Sequence, residues 1–383
     1  MATVRYRAIA FVAALMFSMD WIARAEAEPL KIIFDHDGGI DDFVTLLLLL
    51  SRPADVKLLG ITILDADCKI DLAVNTTLKI LYTLGFRDVP VAASSLQGAN
   101  PFPELWRWSP LRRVPYCRTV DVQPLINGMR PEELEPQRVK TPGEDFLAEL
   151  LLAQPEPVTL VSTGPLSNVA HVLTRYGEAA ASKIKKIYWM GGALRAHGNV
   201  VAPGHDGTAE WNAYWDPEAV GAVWRSRVPL VLVPLDATNA VPVTPDLVYR
   251  FGPQSDSRYS VLAGIIWSKV ISWVYERPHE PYYAWDTLTA ACVLRPGLCE
   301  VEETVETYAV TEGRSQGRTA LADDADEDAG TCRPEEGAEG GSGRGGACSA
   351  AVLRGGTPPR NVSVVWRVEA EAFYAFVLEA LRV

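Results

Sequence analysis

Apolar positions along the chain come in short runs and helix-length stripes that alternate. Lys31 to Asp35 is an apolar run after Pro29 and reads as a buried strand. The tight turn Asp35-His36-Asp37-Gly38-Gly39 follows, and Ile40 to Ser51 is a strongly apolar helix ended by Pro53. Val56 to Ile63 reads as the next strand, Leu72 to Leu84 as a helix closed by Gly85, and Val89 to Ala92 as a third strand. Residues 98–143, rich in Pro, Arg and Trp, lack periodicity and read as a long surface excursion. The rhythm then resumes, with helices at 144–152, 168–176 and 217–225 and strands at 158–162, 184–190 and 228–235. The aromatic stretch Ile265 to Trp285 reads as helices near a cleft. Val305 to Val310 and Val362 to Val368 read as a hairpin, and Ala370 to Leu381 as a last helix. Strands alternating with helices predict an α/β fold, an open, mostly parallel sheet with helices on both faces.

The polar positions divide the chain further. Arg5 and Arg7 precede an apolar run from Ala8 to Met19, and small residues flank a cleavage point near Ala25. Residues 1–25 thus read as a signal peptide, which implies secretion, with an uncleaved anchor or an organellar presequence as the alternatives. The run is short for a transmembrane helix, and no later segment reads as a stable membrane span. Residues 26–383 read as a single domain, interrupted at 323–357 by an Asp-, Glu-, Gly-, Ser- and Arg-rich insertion of low complexity. Among the six cysteines no CxxC pair occurs, which argues against zinc. Cys332 and Cys348, in one loop, are the easiest pair to imagine, and Cys292 and Cys299 read as packed or free thiols. The net charge of -12 without a basic stripe argues against a nucleic-acid polymer as partner. A homo-oligomer stays open.

The chemistry is concentrated in Asp35-His36-Asp37-Gly38-Gly39-Ile40-Asp41-Asp42, which carries four acids in eight residues. It follows a strand, at the carboxyl edge where parallel sheets bind ligands. Helix capping explains one or two of these acids, but four repel one another unless a cation offsets them. Oxygen-only ligands favour Ca²⁺ or Mg²⁺ over zinc.

This octet resembles the opening Asp-x-Asp-Pro-Gly-x-Asp-Asp of the inosine-uridine-preferring nucleoside hydrolase family, with Gly38 in place of the proline. Thr163-Gly164-Pro165-Leu166-Ser167-Asn168 is similar to the family's Thr-Gly-Pro-Leu-Thr-Asn turn. Met190-Gly191-Gly192, Gly198-Asn199, Glu210-Trp211-Asn212 and Asp286 match further motifs in order. The resemblance covers roughly residues 30 to 320 and resumes after the insertion. It implies calcium-dependent hydrolysis of the N-glycosidic bond of ribonucleosides. Asp37 would be general base and metal ligand. Asp42, Asp286 and the Thr163 carbonyl would complete the Ca²⁺ site. Asp41, Asn199, Glu210 and Asn212 would bind the ribose, and Asp35 would support the site from behind. Without the resemblance, Glu210 and Asn212 would pass for a solvated loop.

Three departures stand out. Ala66-Asp67 replaces a Gly-Asn pair whose Asn touches ribose, so Asp67 can accept from a hydroxyl but cannot donate. Trp285 stands where many members have the His that protonates the leaving base, and indole is no acid at neutral pH. The insertion has no counterpart in compact members. Trp273, Tyr275, Tyr282, Tyr283 and Trp285 offer stacking for a base. His279 or His205 would be a substitute acid, while His36 is expected to shape the turn. The rival readings are a catalytically impaired nucleoside- or calcium-binding protein and a phosphatase of the haloacid dehalogenase type.

Overall fold

The computed structural model describes residues 28–102, 107, 117–276, 281–324 and 355–383. The expected signal peptide at residues 1–25, most of residues 323–357, Cys332, Cys348 and His279 lie outside the described residues.

Strand β1 (Leu30–His36) shows why the sheet is covered on both faces. Ile32 and Phe34 enter one apolar cluster and Ile33 the other, as the two-residue period of a strand requires. Nine more strands join it among the described residues: β2 (Val56–Ile63), β3 (Val91–Ala93), β4 (Arg138–Val139), β5 (Val158–Ser162), β6 (Ile184–Met190), β7 (Leu230–Val233), β8 (Cys299–Ala309), β9 (Thr319–Leu321) and β10 (Arg360–Val368). Their order is β4-β3-β2-β1-β5-β6-β7-β10-β8-β9. Pairing is parallel from β4 through β10, and β8 and β9 add an antiparallel edge. The order reverses between β1 and β5, which opens a crevice at their carboxyl ends.

One face carries helices α1 (Ile40–Leu50), α2 (Ile70–Leu84) and, beyond a short helix α3 (Arg118–Asp121), further helices from the second half of the chain. The other face carries α4 (Gly143–Leu152), α5 (Ser167–Tyr176) and, past the short α6 (Trp211–Trp215), α7 (Pro217–Ser226). Every residue of α1 is buried, because α8 (Arg258–Glu276) and α9 (Trp285–Leu294) close over it. The terminal helix α10 (Ala370–Ala380) packs on α9. No helix among the described residues is long and apolar enough to cross a membrane.

The predicted strands and helices recur within a few residues, with informative differences. The apolar run 228–235 holds only a four-residue strand, since Pro234 has no N–H for the ladder and Leu235 opens a helical turn. The stretch 98–143 is not all surface excursion. It delivers β4 to the sheet edge, a strand too short to leave a period in the sequence. The cysteine reading is also corrected. Cys292 and Cys299 form a disulfide, because the turn Pro296–Leu298 folds the start of β8 back onto the end of α9. Cys68 and Cys117 form a second one.

Candidate functional site

The crevice is lined from the strand ends upward. Asp35 faces Thr62 on β2 and Ser162 on β5 across the ladders. Both hydroxyls donate to its carboxylate, and the Asn168 amide adds a 2.7 Å bond. Asn168 is held in turn through Ser94, which also bonds Glu144. Burial pushes the Asp35 carboxyl up to about 6 despite these donors. Asp35 therefore braces the turn, as expected of it. Gly38 sits at φ +78°, which proline, fixed near -65°, cannot adopt. A Cβ there would lie 2.5 Å from Ala73, so glycine is required both by conformation and by space. His36 accepts the Gly38 amide proton at Nδ1 (3.1 Å) and stacks on Phe34, so it shapes this turn.

Five acids converge above the brace. Asp42, in the first turn of α1, accepts from the Gly39 amide and from the Thr163 hydroxyl. Asp37 lies against the backbone of Gly164, where a Cβ would stand 3.0 Å from its own. The Asp67 amide donates to Asp37 at 3.2 Å. Asp41 accepts from the Tyr282 hydroxyl (2.7 Å) and from the Asp286 amide (3.0 Å), which ties the start of α9 to the start of α1. Burial, reinforced by Asp42 and Asp67, holds the Asp37 carboxyl well above its ordinary range. Burial and Asp41 do the same to Asp286. Burial and Asp42 push Asp41 up to about 6, and burial with Asp41 and Asp42 pushes Asp67 up to about 7 against the opposing Arg107 guanidinium.

Glu210 and Asn212, expected at the sugar, are buried too. Glu210 caps α6, accepting from the amides of Asn212 and Ala213, and reaches the Gly192 amide (3.0 Å) after β6. Burial pushes it up to about 7. Asn212 donates to the Thr163 and Met190 carbonyls, both at 3.1 Å, clamping the ends of β5 and β6. Asn199 accepts from the Trp211 amide and is partly exposed. Glu210 and Asn212 are thus no solvated loop.

At the rim, Trp285 meets Tyr282 and Tyr283 edge-on, with centroids 4.7 and 5.5 Å away. Its indole nitrogen is buried without a hydrogen-bond partner. Through Tyr282 this aromatic group is bonded to Asp41. His205 is engaged within its own surroundings: Nδ1 accepts from Gly207, Nε2 faces the Gln316 carbonyl, and the ring packs on Tyr214. Sequence reasoning did not assign Tyr282 its bond to Asp41, nor did it find Arg107, which pairs with Asp65 beside Asp67.

Among the described residues no three His, Cys, Asp or Glu side chains meet in a coordination geometry. The acids spend oxygens on protein donors instead. The donor set nonetheless suits a hard divalent cation, being all oxygen, buried and mutually repelling. A consequence follows for stability. In protein freed of divalent cations, Asp35, Asp41, Asp67 and Glu210 keep protons that ordinary carboxyls lose near pH 4. The folded state then binds more protons than the unfolded one, so stability falls as pH rises through about 6 to 7. Thermal melts of EDTA-treated protein should give a higher Tm at about pH 5.5 than at about pH 7.5, with added calcium raising Tm more at the higher pH. A Tm that climbs with pH would contradict this.

An open parallel sheet with buried acids at the switch point of its carboxyl edge, rimmed by aromatic rings, is the site of an enzyme acting on a small polar molecule. Comparison with known proteins names the class. The family model "inosine-uridine preferring nucleoside hydrolase" matches residues 32–375. The pyrimidine-specific ribonucleoside hydrolase RihB of Escherichia coli (strain SE11) is 30% identical over 297 residues, 76% of this chain and 87% of that protein. The solved structure of the inosine-uridine preferring nucleoside hydrolase from Bacillus anthracis is 33% identical, with a TM-score of 0.72 over 92% of this chain and 99% of its own. The purine-preferring ribonucleoside hydrolase from Gardnerella vaginalis, 21% identical, shares the fold at a TM-score of 0.67, covering 92% of this chain and 98% of its own. The chain belongs to the inosine-uridine preferring nucleoside hydrolase family, and so to the nucleoside N-ribohydrolases. The phosphatase reading is set aside.

Proposed function

We propose that the protein hydrolyses the N-glycosidic bond of ribonucleosides, releasing free base and ribose, in a calcium-dependent reaction. The observation that carries this reading is the convergence of Asp37, Asp41, Asp42, Asp67 and Asp286, several of them raised by one another's charge. Asp37, Asp42, Asp286 and the Thr163 carbonyl would hold the calcium ion. When bound, calcium supplies the charge that offsets these acids and eases loss of a proton from the attacking water. Asp37 takes that proton. Asp41 and Asp67 accept from ribose hydroxyls, and Asn199, Glu210 and Asn212 line the rest of the sugar. The carboxylates also face the positive charge that develops on the ribosyl group as the bond breaks.

The leaving base is handled by the aromatic rim. Trp285 has replaced the histidine that protonates the base in many members, and stacking on its ring takes over part of that task. Purified protein offered inosine, uridine, adenosine and p-nitrophenyl riboside should release ribose from natural nucleosides as well as from the activated one. Nucleoside binding without release of ribose from any of the four would favour the alternative of an impaired binding protein.

We also propose that the chain is exported. The signal-like residues 1–25 support this, and two disulfides suit an oxidising compartment. N-terminal sequencing of secreted protein should begin near Glu26; a chain retaining its first residues would refute cleavage.

A further inference from the structure

Between β2 and α2 the chain runs without regular structure, and this crossing from strand to helix carries Asp67. Its carboxylate faces Asp41 and Asp42, like charges in a buried setting, and lies 2.8 Å from where a Cβ on Gly39 would stand. Repulsion drives such a segment outward and the Arg107 guanidinium pulls it back only in part, so its backbone needs a hold of its own. Cys68, the next residue, is where the hold is found. Its amide donates to the Asp37 carbonyl at 3.0 Å, its carbonyl accepts from Arg107 at 3.1 Å, and its Cβ presses on the Gly38 turn. Its sulfur is bonded to Cys117, 49 residues later.

The far end of that bond is anchored. Cys117 opens α3, whose Asp121 receives both Lys79 (2.8 Å) and Asn75 (2.6 Å) from α2. Helix α2 begins directly after the Asp67 segment. The crossing is therefore stapled to the helix it leads into, and both sulfur-bearing residues are buried. The second disulfide, Cys292–Cys299, joins α9 to β8 at the far end of α9 from Asp286 and touches none of these acids.

We propose that the Cys68–Cys117 disulfide is a positioning element of the ribose subsite, holding Asp67 within hydrogen-bond reach of a ribose hydroxyl. The proposal rests on the ribonucleoside reading above. It assigns the two disulfides different tasks: one sets substrate affinity, the other only stability.

The test compares Cys68→Ser/Cys117→Ser with Cys292→Ser/Cys299→Ser on p-nitrophenyl riboside and its 2′- and 3′-deoxy analogues. Loss of a hydrogen bond to a charged acceptor predicts a KM rise on the riboside of about 10-fold or more in the first variant, with a smaller change in kcat. The second variant should melt earlier with unchanged KM. On the one deoxy analogue that lacks the hydroxyl received by Asp67, the first variant and the parent should have equal KM. An unchanged KM on the riboside overturns the proposal, and so does an equal KM rise on all three substrates, which would mean general loosening. If the first variant does not fold, the folded Cys292→Ser/Cys299→Ser protein is reduced with a phosphine instead. Its KM should rise on reduction and return on reoxidation, and a constant KM overturns the proposal. A parent enzyme that turns over no riboside would instead defeat the ribonucleoside reading, and this proposal with it, before any variant is compared.

Discussion

Asp37→Asn should lower kcat by about 10²–10⁴ while leaving KM near the parent value. The substitution keeps the size of the side chain and an oxygen, so the turn after β1 and the contact with Gly164 are preserved. What it removes is acceptance of a proton from the attacking water, together with one negative charge at the calcium site, so the kinetics are read at saturating calcium. Asp41, Asp67 and the Glu210–Asn212 segment are untouched, so ribose is still gripped. Steady-state kinetics on p-nitrophenyl riboside check this. Near-normal kcat would remove Asp37 as the base, and a large KM rise at constant kcat would make it a sugar ligand instead.

Trp285→Ala should cut kcat/KM for inosine by about 10-fold or more, since stacking is worth about 0.5–1.5 kcal/mol beyond burial and about 1.4 kcal/mol is a factor of ten. p-Nitrophenyl riboside should change little, because its leaving group departs without protonation. The two substrates separate base handling from the rest of the machinery. The rings of Tyr282 and Tyr283 flank Trp285, and Tyr282 is bonded to Asp41, so equal losses on both substrates would mean that Trp285 only packs the acid cluster. Trp285→His should raise activity on natural nucleosides by supplying a group that can carry a proton to the base.

The frame of the site was legible because it is local. Asp37, Asp41 and Asp42 share one turn, and Thr163 follows a strand whose apolar run is unmistakable. Strands β2, β5 and β6 could be bounded at both ends for the same reason. What escaped is what the sheet order brings together. Tyr282 reaches Asp41 across 241 positions, and the brace behind Asp35 runs through Ser94, Glu144 and Asn168 from three separate segments. The cysteine pairs escaped on similar grounds. Cys68 meets Cys117 only because α3 docks on α2, and Cys292 meets Cys299 only because a tight turn separates them. The Asn212 amide is engaged by two strand-end carbonyls, a contact no spacing encodes.

Ribonucleoside hydrolysis by this protein should depend on calcium held by the acids that begin after β1. Protein stripped with EDTA and assayed for ribose release from inosine and p-nitrophenyl riboside tests it directly. Turnover of both should vanish on stripping and return with added calcium. Undiminished turnover in EDTA, or none with calcium restored, would contradict it.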